Sequence, residues 1–511
     1  MEVNMSFQEK LNDLDTRRNR IELQGGQEAI DQMHTMGKKS ARERIELLFD
    51  ENSFVEIGAF IQQRATDFNL NIKDVPADGV VTGYGTIEGR LAYAYSQDST
   101  LLGGSVGEMH AKKIVTLYDL AIKMGAPLIG LVDSAGLRLQ ESTDALDAVG
   151  QIYVKQSIAS GVIPQITGIL GPCGGGSALV AGLSDFTFMS NKNGHLFVNS
   201  PNTYSDTKKN ESFGTAKYNS EISGLVDCVY DDEQGLIQDI RHLVELLPAN
   251  NAEEAPFENV NDDLNRLSPE LNSAISSQGF NSRSTLQSIC DQNNIFEIKQ
   301  NYGTEVIIAF GKMNGMTVGF IGNQTNEGDG RLTVQAMKKI TKFVTFCDAF
   351  NIPIVTISDV IGYAANSSDE NQGLARVAAK MTHAFIQASV PKINVITYRA
   401  FGSAYVSFNS KHLGADVVLA WPTAEIGVME ASSAVRIMYN DEITDGTLTN
   451  AEKSNKESEY KEKQSSPYVA ASRGYIDDVI EPAATRKRVI VALEMLYTKR
   501  VPSIDRKHST I

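Results

Sequence analysis

The chain has 511 residues, 42% hydrophobic and 22% charged, which suits a globular protein of two large domains. Its formal charge of −16 argues against a nucleic-acid role, although a local basic patch or helix N-termini would still serve an anionic ligand. No apolar run reaches the roughly 18–20 residues that span a bilayer, and MEVNMSFQEKLNDLDTRRNR lacks the apolar core of a secretory signal, so a cytoplasmic protein without membrane insertion is expected.

Residues 6–24 read as a charge-rich helix, broken by Gly37-Lys38-Lys39-Ser40. Ser40 is placed to cap the next helix, with Glu43 as its capping-box partner. From about Gly79, β-rich runs such as LAYAYSQD and PLIGLVDS alternate with helical runs such as EMHAKKIVTLYDLAIKMG, the pattern of α/β layers. The polar stretch Asn202–Ser223 reads as a surface excursion. The stretch Pro248–Pro269, with three prolines and many Asn, Asp and Glu, reads as a domain boundary. The halves are then 1–260 and 261–511.

The two halves repeat each other. Gly85-x-x-x-Gly89, Lys112-Lys113-Ile114, Pro127 and Asp133-x-x-Gly136 recur 226 positions on as Gly311-x-x-x-Gly315, Lys338-Lys339-Ile340, Pro353 and Asp359-x-x-Gly362. After one inserted residue, Pro164 and Gly175 match Pro391 and Gly402 at 227. A constant offset over so long a span marks a duplicated α/β domain.

In each half a strand ends in a turn of small residues, Gly174-Gly175-Gly176-Ser177-Ala178 and Gly402-Ser403-Ala404. A helix starting there would aim free N–H groups at one point and stabilise an oxyanion; close helix–strand packing is the plainer use of one such turn. Ser177 and Ser403 sit outside G-x-S-x-G and lack an evident histidine–acid pair, which argues against a serine hydrolase. Asp133 and Asp359 end strands, where helix capping is the common use of Asp. The seven histidines lack metal-ligand spacing, and Cys173, Cys228, Cys290 and Cys347 fit neither a zinc cluster nor a disulfide framework. Ala336-Met337-Lys338-Lys339 looks like a biotin-attachment site, but its helical context makes that match accidental. No P-loop is present, so any use of ATP falls to a partner.

Several stretches carry a resemblance to a known family: GKKSARERIELLFDENSFVE, DGVVTGYGTIEGRLAYAYSQDSTLLGGSVGEMHAKKI, DSAGLRLQE, SGVIPQITGILGPCGGGSA, FVTFCDAFNIPIVTISDVIG, NSKHLGADVVLAWPTAEIGVM, RGYIDDVIEP and RKH near the end. From about residue 30 onward the chain resembles the biotin-dependent acyl-CoA carboxyltransferases. These include the β subunit of propionyl-CoA carboxylase, the transcarboxylase subunit and the α subunit of methylmalonyl-CoA decarboxylase. The resemblance implies two tandem crotonase-like β-β-α spiral domains. It implies a homo-hexamer, a trimer of dimers, with each site between the N-terminal half of one chain and the C-terminal half of another. The first half would bind the acyl-CoA thioester. The second would bind biotin on a separate carrier protein, with biotin carboxylase or membrane decarboxylase subunits as further partners.

By motif position, the amides of Gly175 and Gly176 would hold the thioester oxygen. Those of Gly402, Ser403 and Ala404 would hold the biotin ureido oxygen, and Val406 would border the same site and help set acyl preference. No protein acid–base pair is then needed, because the ureido anion takes the α-proton. The chain also departs from the family. Its Asp-Val-Pro-Gly-Phe is Asp359-Val360-Ile361-Gly362-Tyr363, a histidine is Val377, a glycine is Glu430, and Asn219 stands near a missing histidine. These departures keep an alternative in play, a catalytically silent scaffold for carrier and partner subunits. An apolar Val406 favours the decarboxylase branch.

Overall fold

The computed structural model describes residues 6–200, 203, 212–274, 281–327 and 330–501. The C-terminal RKH match, residues 201–202 and residues 204–211 of the polar excursion lie outside the described residues. Contacts divide the chain into two units, Met1–Glu253 and Glu254–Ile511.

Local capping chemistry opens the first unit. Ser6 and Glu9 exchange side-chain and backbone bonds at the start of α1 (Phe7–Glu22). A second helix, α2 (Gln27–Thr35), follows Gly26 at φ 100°, in a stretch the pattern left unassigned. Ser40 and Glu43 form the predicted capping box of α3 (Ala41–Leu48). Its buried residues Ala41, Arg44, Ile45 and Leu48 recur at helical spacing, so one face of α3 packs inward.

The first sheet has the order β1 (Val55–Glu56), β2 (Val80–Ile87), β3 (Arg90–Gln97), β4 (Leu128–Ser134), β5 (Gln165–Gly174), β6 (Phe186–Ser190), β8 (Cys228–Tyr230), with β7 (His195–Phe197) beside the end of β5. The β2–β3 pair is an antiparallel hairpin, and β3, β4, β5 and β6 run parallel. Two helices, α4 (Glu108–Met124) and α5 (Ser142–Ala159), make the crossovers. Tyr95, Ile114, Leu117, Leu128, Ile152 and Ile169 are core members between helices and sheet.

The second sheet repeats this plan, with β9 (Ile295–Ile298), β10 (Val306–Met313), β11 (Met316–Asn323), β13 (Ile354–Val360), β15 (Lys392–Phe401), β16 (Val417–Ala420) and β18 (Asp478–Val479) in sequence across it. Beside β15 lies β17 (Glu425–Gly427), the counterpart of β7. Two short strands, β12 (Arg331–Leu332) and β14 (Gly362–Tyr363), pair apart from the main sheet. The polar boundary stretch belongs to this unit from Glu254 onward. Thr317 N–H donates to Pro256 O and Glu258 N–H to Gly315 O, which ties the stretch to the β10–β11 hairpin.

The repeated lysines explain themselves in both units. Lys113 on α4 is buried and donates to the carbonyls of Ala77, 2.9 Å away, and Val80. Lys339, on the helix Val334–Ala349, is buried and donates to Lys299 O at 2.8 Å, Tyr302 O at 3.0 Å and Val306 O at 2.6 Å. Each ammonium gathers carbonyls at the entry to the central hairpin, sharing Ala77 O with the Val80 N–H and Lys299 O with the Tyr302 N–H. Burial lowers both, Lys113 to about 8 and Lys339 to about 7.

Candidate active site

The site elements begin where β4 and β13 end. Both strands shift register over their last residues, between Val132 and Ser134 and between Ser358 and Val360. Asp133 and Asp359 stand in these irregularities, which redirect their side chains inward. Neither caps a helix, contrary to the sequence expectation. Asp133 is buried, 2.6 Å from Lys38 Nζ, 3.1 Å from Arg44 and 3.1 Å from Ser99 Oγ. Asp359 is buried, and accepts from Arg399 Nε at 2.8 Å, Nη2 at 3.0 Å and its backbone N–H at 3.0 Å. A carboxylate out of water needs such partners, and each unit draws them from a different element.

In the first unit, β5 runs into the helix α6 (Gly176–Gly182) through Gly175, at φ 57° and ψ −119°. Only glycine takes that conformation without strain. The Gly175 N–H is engaged, donating to Phe197 O of β7 at 3.0 Å. Among the described residues, the N–H groups of Gly176 and Ser177 have no hydrogen bond within the chain. The free pair therefore lies one residue beyond the Gly175–Gly176 pair expected from the motif, because β7 extends the sheet to Gly175. From α5, the Tyr153 hydroxyl donates to Gly176 O at 2.8 Å.

Asn219 supports β7 from behind. It is buried, not on the surface as the polar stretch suggested, and its Nδ2 donates to Phe213 O at 3.2 Å and Thr215 O at 3.1 Å. Its own backbone interactions would satisfy only two atoms; the amide side chain closes the segment on itself, which composition alone does not reveal.

The second unit presents the matching turn. After β15, Gly402 at φ 62° opens the helix Gly402–Val406. A side chain on Gly402 would bring its Cβ to 3.2 Å from Val428 O. Phe401 pairs with Gly427 of β17, which places the Gly402 N–H at the sheet edge as Gly175 is in the first unit. Among the described residues, the N–H groups of Ser403 and Ala404 have no hydrogen bond to the surrounding loops. The Tyr363 hydroxyl lies 2.8 Å from Ser407 Oγ and 3.3 Å from Ser403 O. A cavity of about 300 Å³ opens onto the turn, lined by Gly402, Ser403, Ala404, Tyr363, Arg331 and Glu430 among others. Val406, the last residue of the helix, is not among its lining residues.

Other candidates take ordinary places. No histidine hydrogen-bonds to Ser177 or Ser403 among the described residues, so neither has the partner a nucleophile requires. Lys338 lies exposed on the helix Val334–Ala349, so the Ala336–Lys339 match sits in helix and not in a hairpin. The described residues contain no group of three or more His, Cys, Asp or Glu arranged for a metal, and no helix long and apolar enough to cross a membrane.

Duplicated ββα units with an amide turn in each bear comparison with known proteins. Residues 32–511 match the family model described as the carboxyl transferase domain. The chain belongs to the carboxyl transferase domain family. Relatives in this family include the methylmalonyl-CoA decarboxylase α subunit of Propionigenium modestum, 43% identical over 98% of this chain and 98% of that one. The mitochondrial propionyl-CoA carboxylase β chain of Homo sapiens is 40% identical over 98% of this chain and 93% of that one. A solved structure of transcarboxylase 12S, with methylmalonyl-coenzyme A and methylmalonic acid bound, superposes with a TM-score of 0.96 at 38% identity, covering 100% of this chain and 99% of that one. The crotonase-like fold expected from the resemblance is thus the fold of this family member, and carboxyl transfer is its class of reaction.

Proposed function

We propose that the chain moves a carboxyl group between biotin, held on a separate carrier protein, and the α-carbon of a short-chain acyl-CoA, as a carboxyltransferase subunit. The observation that carries this reading is the pair of amide turns, with unpaired N–H groups at equivalent ends of β5 and β15. Carboxyl transfer at an α-carbon places negative charge on two oxygens, the thioester oxygen and the ureido oxygen. Backbone N–H groups held in place before the reaction stabilise such charge without reorganising.

In the first unit, Gly175 shapes the turn, and the Gly176 and Ser177 amides would hold the thioester oxygen as enolate character develops. In the second, the amides of Gly402, Ser403 and Ala404 would hold the ureido oxygen, with Val406 one turn behind them. The second-unit residues fit a bicyclic urea: the Gly402–Ala404 turn, with the Ser403 and Ala404 amides at the start of its helix, faces a cavity of about 300 Å³. Carboxybiotin, when bound, supplies the transferred carboxyl group and the base for the α-proton. No side-chain acid–base pair is then required of this chain, which agrees with the unpaired serines and the ion-paired Asp133 and Asp359.

The biotin carboxyl carrier protein is the proposed direct partner. Biotin carboxylase or membrane decarboxylase subunits would complete the enzyme, and a homo-hexamer is the proposed assembly in the cytoplasm. The similarity to decarboxylase α subunits and the apolar Val406 favour the decarboxylating direction. A panel of malonyl-type CoA esters with free biotin tests the reading: methylmalonyl-CoA or malonyl-CoA should lose CO2 in a biotin-dependent way. Absence of turnover with every ester would overturn it, and binding of a biotinylated carrier without turnover would establish the scaffold alternative instead.

A further inference from the structure

Each amide turn is held by a tyrosine hydroxyl that the repeat did not supply. Tyr153 reaches Gly176 O from α5, at 2.8 Å. Tyr363 reaches Ser403 O at 3.3 Å and Ser407 Oγ at 2.8 Å from β14. At the 226-residue offset, the counterpart of Tyr363 is Leu137, which has no hydroxyl. The two units therefore reached similar bracing from different positions.

The consequence follows from peptide geometry. A trans peptide is planar, so its C=O and N–H point in opposite directions. A hydroxyl seated on Gly176 O sets the direction of the Ser177 N–H. One seated beside Ser403 O sets the direction of the Ala404 N–H. A hydrogen bond to the carbonyl also polarises the peptide and strengthens its N–H as a donor. Both carbonyls lie in the first turn of very short helices, Gly176–Gly182 and Gly402–Val406, and the Ser403 carbonyl also accepts the Ser407 N–H at 3.0 Å.

We propose that Tyr153 and Tyr363 are positioning residues for carboxyl transfer, each fixing the aim of one oxyanion-binding amide through the carbonyl of the same peptide. The inference rests on the carboxyl-transfer reading. The experiment is steady-state decarboxylation of methylmalonyl-CoA with free biotin by the full chain, comparing wild type, Tyr153→Phe and Tyr363→Phe. Each variant should lose about tenfold in kcat, less than removal of a whole oxyanion donor, with KM for the CoA ester and for biotin within about twofold of wild type. Ser407→Ala takes away the other acceptor of the single Tyr363 proton and leaves it to Ser403 O, so it should keep kcat near wild type; a loss equal to that of Tyr363→Phe would assign the effect to the Tyr363–Ser407 contact and overturn the role of Tyr363. A kcat equal to wild type, or a loss explained by a smaller folded fraction in thermal melts, overturns the role of that tyrosine. If wild type itself turns over no malonyl-type ester, the functional reading falls and this inference with it. An active wild type with equally active Phe variants removes only this inference.

Discussion

The two units share a backbone plan but are wired differently around it, and the contrast separates what the fold requires from what each half added. Lys113 and Lys339, and the inward aspartates Asp133 and Asp359, occur in both. They serve needs of the backbone itself, carbonyls that converge at the hairpin entry and a strand that shifts register before its turn. The partners are not shared. The first unit buries an ionic cluster in which Arg138 meets Asp78 at 2.6 Å and Glu141 at 2.8 Å, beside a buried His110. At the 226-residue offset the second unit has Ala364, Thr304, Ser367 and Ala336. Duplication preserved the features that one strand or helix needs locally; features requiring several cooperating side chains diverged.

The largest expected effects would show whether both turns still do equivalent work. Gly175→Val and Gly402→Val force a branched side chain into positive φ, and at Gly402 the added atom also faces Val428 O. Each should lower kcat by about 100-fold or more while circular dichroism shows a folded protein. Full activity in either variant would assign the chemistry to the other unit alone.

Next comes the ionic cluster that only the first unit has. Arg138→Met leaves Asp78 and Glu141 buried without their cation, which should destabilise by about 3–5 kcal/mol. Hydrogen exchange should show the loss in Met1–Glu253, and equal loss of protection in both units would contradict independent wiring.

The shared lysines should behave alike. Lys113→Met and Lys339→Met each remove the ammonium on which buried carbonyls converge, at a cost of about 1–3 kcal/mol in the unit concerned. Denaturant titrations of the two variants measure this, and a clear inequality would mean the repeat conserved the residue without its role.

The smallest effect is a pH dependence confined to the first unit. Burial, then the charges of Arg138 and Lys113, holds His110 down at about 3. The folded form keeps it neutral, with Nδ1 2.9 Å from Asp78 O and Nε2 3.1 Å from Gln97 Nε2. Since unfolding raises its affinity for protons, this stability is complete above the unfolded value of about 6.5 and is lost as pH falls towards 3. The slope should be at most about 1.4 kcal/mol per pH unit, and His110→Gln should flatten it. An unchanged slope in that variant would place the acid sensitivity elsewhere.

Sequence by itself determined the duplication, the α/β layers, the capping box at Ser40 and the two glycine turns. Each of these is written locally: a capping residue and its partner lie three positions apart, and a positive φ calls for glycine at one position. The constant offset then joined the local signals into two units. Tertiary structure alone decided which amides are free. Gly175 and Gly176 look interchangeable in the sequence, but β7 arrives from about twenty residues downstream and takes the Gly175 N–H. It alone turned Asp133 and Asp359 from presumed caps into buried ion-pair partners, since Arg44 is 89 residues from Asp133 and Arg399 is 40 from Asp359. It also buried Asn219 within a polar stretch and put the hydroxyls of Tyr153 and Tyr363 on the turns. Hydrogen bonds between residues far apart in the chain leave no periodic mark, so local composition predicts the groups that need partners and only the folded chain supplies them.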